Sequence, residues 1–366
     1  MTERHPCRSR VAGGRRRAAW MRAAGLALAL TLMAEGVGAS GACAPCRLPG
    51  SVQATLSLLP ATSVGTNLPM PRHAVPPQVP APIVVHGTPA HMPFYVATRG
   101  PLTIYLLGTL HIGDPADYPS GQPFRRPILD ALAASPTLAF ELSPDDIVAS
   151  QQKVSQSGVC RRACLQRQLP APLWARIRHR LRGNPAALAA VRDMRPWLAA
   201  LVIESYDAQA AGLQGEYGTE DQLENVYLRR RGGRIIGLES LDEQMGAFTQ
   251  LTRAQADEML AQDLQQSPAQ NAADVRALHR LWRIGDADAL EAWSSVKSDR
   301  LARSREISAQ IDERILYARD ARFAARMARL AEPGRPLFVA IGALHLGGRR
   351  GVLELLRREG FQVEAR

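Results

Sequence analysis

Two stretches of this 366-residue chain nearly repeat one another: Leu107-Gly108-Thr109-Leu110-His111-Ile112-Gly113 and Ile341-Gly342-Ala343-Leu344-His345-Leu346-Gly347. Each follows an almost wholly apolar run, Leu102–Leu107 and Pro336–Ile341, of the kind that forms a strand buried on both faces. Each Gly-x-x-His therefore falls at the carboxyl end of a buried strand, the edge where open α/β sheets bind ligands. The glycines allow a sharp turn and close backbone approach, so the histidine can project into the crevice.

Two glutamates take equivalent places. Glu141 ends the apolar run Leu138-Ala139-Phe140, and Glu239 ends Ile235-Ile236-Gly237-Leu238. A carboxylate at the end of an apolar strand is costly unless it is paired or metal-bound. Four strands would thus bring two imidazoles and two carboxylates to one edge. His111, His345, Glu141 and Glu239 are the candidate metal ligands, and this nitrogen and oxygen set suits a divalent transition metal such as Zn, Mn or Co. Such an ion acidifies bound water and polarises a carbonyl. A glutamate that does not ligate it would serve as base, with Glu141 or Glu239 in that role. No HExxH, nucleophile elbow or P-loop is present.

Outward from these motifs, the pattern reads as an α/β fold: a single domain with a central β-sheet flanked by helices and a helical middle insertion. Strands are expected at Phe94–Thr98, Thr137–Glu141, Arg234–Leu238 and Phe361–Glu364. Helices are expected at Pro127–Ala134, through much of 165–212, at Leu223–Leu228, from Leu241 to Leu330 and at Val352–Arg358. Asp145-Asp146 after Ser143-Pro144 reads as a helix start. His179 among arginines and His279 among charged residues read as solvated.

The amino terminus differs in character. Arg15-Arg16-Arg17, the apolar stretch Ala23–Ala34 and small residues up to Ala42 read as a secretory signal over 1–42, with an uncleaved inner-membrane anchor as the alternative. Residues 43–92, with Pro76-Pro77, Pro80 and Pro82, read as a flexible linker, and 93–366 as the folded domain. The expected location is periplasmic or secreted, with peripheral membrane association as an option. Past the leader, the cysteines form two close sets, Cys43/Cys46 and Cys160/Cys164, which suggests disulfides in an oxidising compartment. About half of the net charge of +11 sits before residue 43, aromatic residues make up only 5%, and no clustered basic motif appears; nucleic acid is not an expected partner.

At these residues the chain resembles the TraB/GumN (PrgY) family. The resemblance is carried by the opening hairpin into Leu106–His111, by Phe140-Glu141-Leu142, by Tyr217-Gly218-Thr219-Glu220, by Gly237-Leu238-Glu239 with Gln244, by Phe338–Gly347 and by the tail Gly351–Val363. The family is related to the Tiki metalloproteases and more distantly to the ChaN/erythromycin-esterase-like group. The resemblance implies a site built on His111, His345 and Glu141, with Glu239 and Arg319 in support and Arg319 as an oxyanion stabiliser. Many members carry Arg-Asn where this chain has Arg319-Asp320, and Asp where it has Glu220. The expected function is an exported metal-dependent hydrolase, most plausibly a peptidase acting on a peptide or protein. The alternative is a non-catalytic periplasmic binding or accessory protein for a peptide, haem or an exopolysaccharide-related ligand.

Overall fold

The computed structural model describes residues 87–229 and 233–366. The expected signal segment, Cys43, Cys46 and the linker up to residue 86 lie outside the described residues.

Six strands form one sheet: β1 (Phe94–Arg99), β2 (Leu102–Thr109), β3 (Thr137–Phe140), β4 (Arg234–Gly237), β5 (Leu337–Gly342) and β6 (Gln362–Ala365). Their order is β4-β3-β5-β2-β1-β6. The four strands from β4 to β2 pair in parallel, while β1 pairs antiparallel with both β2 and β6. The parallel set follows from the long helical connections between those strands, and the β1–β2 hairpin from the tight turn at Arg99-Gly100-Pro101. This is the single α/β domain expected from the sequence, with each strand end displaced by at most two residues.

Side-chain alternation fixes the two faces. Leu107, Leu138, Phe140, Phe338 and Ala340 pack on one side with Phe124, Ile128, Leu132 and Trp282. Ile104, Leu106, Ala139, Val339 and Ile341 pack on the other with Phe323, Met327, Leu353 and Leu356. Both faces are covered, which is why the central strands read as continuous apolar runs instead of alternating ones.

The middle insertion has a core of its own. It is built around the helix Pro196–Ala210, in which Trp197 through Ile203 are all buried, together with Leu173, Trp174, Ile177, Met245, Phe248 and Leu260. A helix buried nearly all round shows little amphipathic period, which its sequence displays. Ser143 caps the helix Pro144–Gly158 through the Asp146 amide, with Asp145 and Asp146 in its first turn. Cys160 and Cys164 are disulfide-bonded just beyond that helix. At the domain's start, Ala90 and Met92 are buried, and the Ala90 amide donates to the Asp117 carbonyl at 3.2 Å.

Two histidine expectations resolve differently. His179 is exposed as expected. His279 is buried, with Nε2 2.6 Å from Asp117 Oδ2 and its ring stacked on Trp282. The charged neighbours misled: on the helix Pro268–Ile284, positions 279 and 282 face inward while Arg280 and Arg283 face outward.

Candidate functional site

Register brings the motifs together. Gly108 of β2 pairs with Ile341 of β5, and Thr109 with Gly342, so the two Gly-x-x-His turns leave the sheet side by side. β3 sits on the other flank of β5, and its Phe140 pairs with Gly237 of β4. His111, His345, Glu141 and Glu239 thus follow the carboxyl ends of four adjacent parallel strands.

At the centre of that edge lies Arg319, from the helix Ala318–Leu330. Its Nη2 donates to Glu141 Oε2 and to Glu239 Oε1, each at 2.5 Å. Nε donates to both oxygens of Glu239 at 3.1 and 3.2 Å. Nη1 donates to the Ile315 carbonyl and to His345 Nε2, both at 3.1 Å. The side chains of Arg319, Glu141 and His345 are each 6% exposed, and that of Glu239 is fully buried. Buried charges survive only when paired and hydrogen-bonded in this way.

Because guanidinium can only donate, His345 Nε2 must accept, and Nδ1 carries the proton. Nδ1–H then donates to Asp320 Oδ1 at 2.5 Å. Asp320 was not among the expected site residues. The signal was an Asp where the family resemblance led to an expectation of Asn; either side chain offers Nδ1 an oxygen. Gln244 Nε2 donates to Glu239 Oε1 at 3.1 Å, and the Gly342 amide donates to Glu141 Oε1 at 2.8 Å.

His111 belongs to a neighbouring assembly. Its Nδ1 stands 3.0 Å from Glu220 Oε1, and Thr109 Oγ1 donates to that same oxygen at 2.5 Å. Glu220 lies in the first turn of the helix Thr219–Tyr227, which is stitched to the histidine loop: Thr219 N donates to the Leu110 carbonyl at 2.8 Å, and Leu110 N to Thr219 Oγ1 at 3.0 Å. The approach is so close that a Cβ on Gly218 would lie 2.6 Å from the His111 carbonyl, and one on Gly113 would lie 2.3 Å from that of Tyr217. A methyl group at either place would push the loop and helix apart.

A cavity of about 20 Å³, enough for one water, is bordered by His111, Glu141, Glu220 and Glu224 with Phe140, Leu142 and Ile147. Glu220 Oε2 is buried without a hydrogen-bond partner, and a water would satisfy it, while His111 Nδ1 is held by its ion pair with Glu220 Oε1.

Charges set the proton positions. Burial alone would lower the His111 pKa, but Glu220 first and Glu141 second outweigh burial and Arg319, pushing it up to about 9. Burial alone would raise Glu141, but Arg319, His345, His111 and the Gly342 amide hold it down to about 2. At neutral pH His111 is an imidazolium and Glu141 an anion. Burial raises the pKa of Asp320, partly offset by His345.

The expected four-residue metal set does not fit an ion as a whole. Glu239 and His345 spend their acceptor atoms on Arg319, and a guanidinium stands among the carboxylates. Among the described residues, no group of three or more His, Cys, Asp or Glu is arranged to hold a metal ion. Nor does Arg319 suit an oxyanion: its Nε, Nη1 and Nη2 are all engaged and it is buried. It acts as a positioning group.

A profile of the TraB/PrgY/gumN family matches residues 93–365. The chain belongs to that family. It is also similar to Metalloprotease TIKI2 of Danio rerio, with 33% identity over 73 residues, covering 19% of this chain and 14% of that protein. Similarity to Metalloprotease TIKI1 of Homo sapiens is 38% over 63 residues, covering 17% of this chain and 12% of that protein. The matched stretches thus span a small part of either relative's length. No solved structure matches.

Replacing Arg319 with Ala leaves two buried carboxylates without their cation. We expect a loss of about 3–5 kcal/mol of stability in denaturant titrations. Arg319→Lys should recover only part of it, because one ammonium cannot reproduce the forked contacts. The His111 shift gives a second expectation. A raised folded-state pKa stabilises below the ordinary value near 6.5, and that contribution is lost as pH rises to about 9. Thermal midpoints should therefore fall across pH 6.5–9 in the parent, and that slope should flatten in His111→Gln.

Proposed function

We propose that this chain is an exported hydrolase of peptide bonds, with its reacting centre at the His111–Glu220–Glu141 cavity. The observation that carries the reading is this water-sized cavity, lined by an imidazolium and carboxylates at the carboxyl edge of the parallel strands. Family membership and the partial likeness to two metalloproteases support hydrolysis and a peptide substrate. The basic, then apolar, amino-terminal stretch supports export.

In this reading Glu220, with one oxygen unpartnered, takes the proton of the attacking water. Protonated His111 donates to the leaving group. Glu141 holds the imidazolium charge, and Arg319 fixes Glu141. Such general acid–base pairs contribute about 10²–10⁴-fold each.

A second reading, favoured by the TIKI likeness, adds a divalent transition metal, Zn, Mn or Co. Of the four expected ligands, His111 and Glu141 border the cavity and would hold it, Glu141 only by giving up its contact with Arg319; Glu239 and His345 do not border it and are also held by Arg319. The ion would act as a Lewis acid there. His111 must lose its proton to ligate, so metal affinity would climb with pH up to about 9.

The test is mass-spectrometric scoring of a peptide library after incubation with the purified protein, with chelator and with each metal in turn. Expected is cleavage that falls at least a hundredfold in His111→Gln and in Glu220→Gln, both still folded by circular dichroism. Cleavage that survives chelation selects the first reading, and cleavage that requires added metal the second. Stoichiometric peptide retention without product under every condition would mean a binding protein and overturn both.

A further inference from the structure

Beside the Arg319 network, on the β4 side, lies a groove of about 1000 Å³ that the cavity chemistry does not use. This is at the upper end of the volumes, about 300–1,000 Å³, that ligand clefts enclose. Most charges along it are already neutralised. Glu243 pairs with Arg326 at 2.5 Å, Asp242 with Lys153, and Glu313 with Arg350.

Arg322 is different. It lines the groove at 37% side-chain exposure, and its Nη2 comes no nearer than 3.9 Å to Glu239 Oε2, a carboxylate that Arg319 already holds. Its Nε is buried without a hydrogen-bond partner among the described residues. A guanidinium is matched best by a carboxylate, and no carboxylate pairs closely with the exposed part of this one. Arg314, which also lines the groove, donates to Gln250 Oε1 at 3.0 Å, and its charge stands against that of Glu306 in the same lining. Gln250 and Gln310, whose oxygens accept from Arg314 and Gln255, offer amide N–H donors of the kind that match a peptide carbonyl.

The groove also touches the reacting edge through the backbone. Its wall includes Glu313 and Arg314 of the π-helical turn Glu313–Tyr317, and Ala318 just beyond it. The Ile315 carbonyl of that turn accepts from Arg319 Nη1. Single π turns recur at functional positions in helices. A ligand in the groove therefore lies against the turn that precedes Arg319 and accepts one of its hydrogen bonds.

We propose that this groove is a substrate subsite that takes a carboxylate-bearing polypeptide segment, with Arg322 as its anion anchor. It deepens the hydrolase reading by naming the substrate class, although binding itself does not require turnover. The carboxylate is a free carboxyl terminus or an acidic side chain, and the probes separate the two.

The experiment is fluorescence anisotropy with the full chain and three labelled octapeptides of otherwise neutral residues: one with a free carboxyl terminus, its carboxyl-terminal amide, and that amide with one internal glutamate. Expected is at least tenfold tighter binding of one or both carboxylate probes than of the plain amide. Arg322→Gln should erase that preference, while Arg176→Gln, an exposed change on another helix, should keep it. Circular dichroism on both variants guards against misfolding. Equal affinity for all three probes, or the same preference in Arg322→Gln, would overturn the assignment. Mass spectrometry on the same mixtures reads cleavage separately. Carboxylate-selective binding without cleavage keeps the groove and removes the hydrolase, whereas cleavage without Arg322-dependent binding does the reverse.

Discussion

One guanidinium holds the working edge of this protein together. Arg319 sits almost out of solvent among two carboxylates and an imidazole, and each partner comes from the end of a different parallel strand. Burying these charges is expensive, and removing any one of them would strand the others. The arrangement therefore needs the strands in register, the helix Ala318–Leu330 seated on the sheet, and the turn before it placed to within a hydrogen bond. Phe323 and Met327, one and two turns further along that helix, are buried in the core under the sheet and provide the seating. The fold's apolar core and its polar edge are thus set by the same helix.

Much of this edge could be read in the sequence because strand ends are a local signal. Apolar runs capped by Gly-x-x-His or Glu mark both the strand and its exit, and parallel pairing then brings the exits to one side. The number of strands, the hairpin at Gly100 and the closing helix were legible for the same reason. What fills the edge was not. Arg319 lies on an arginine-rich helix beside Arg322, Arg326 and Arg329, and nothing local separates the inward arginine from its neighbours; family resemblance alone marked it. The ligand set read from four strand ends therefore took no account of a cation delivered by a fifth element. Asp320 and Glu220 stood out only as departures from the family pattern, and His279 was hidden among charged neighbours that face the other way.

The two histidines of the repeat come to different states although their motifs match. His345 is held in one orientation by Arg319 on one side and Asp320 on the other. His111, facing Glu220 across a water-sized cavity, is driven to keep its proton. Environment, not motif, separates their states, and it divides the edge into one half packed around Arg319 and another around His111 and its cavity. The groove at Arg322 borders the Arg319 half, with Arg322 Nη2 3.9 Å from Glu239, the carboxylate that anchors the centre.

The most direct measurement is a crystal structure of the protein grown or soaked with Mn, Co or Zn, with anomalous scattering collected at the metal edge. Expected is planar guanidinium density joining Glu141 to Glu239, with no anomalous peak among Glu141, Glu239 and His345. An anomalous peak coordinated by those three residues, with Arg319 turned away, would contradict the central role given to Arg319 and restore Glu239 and His345 as metal ligands.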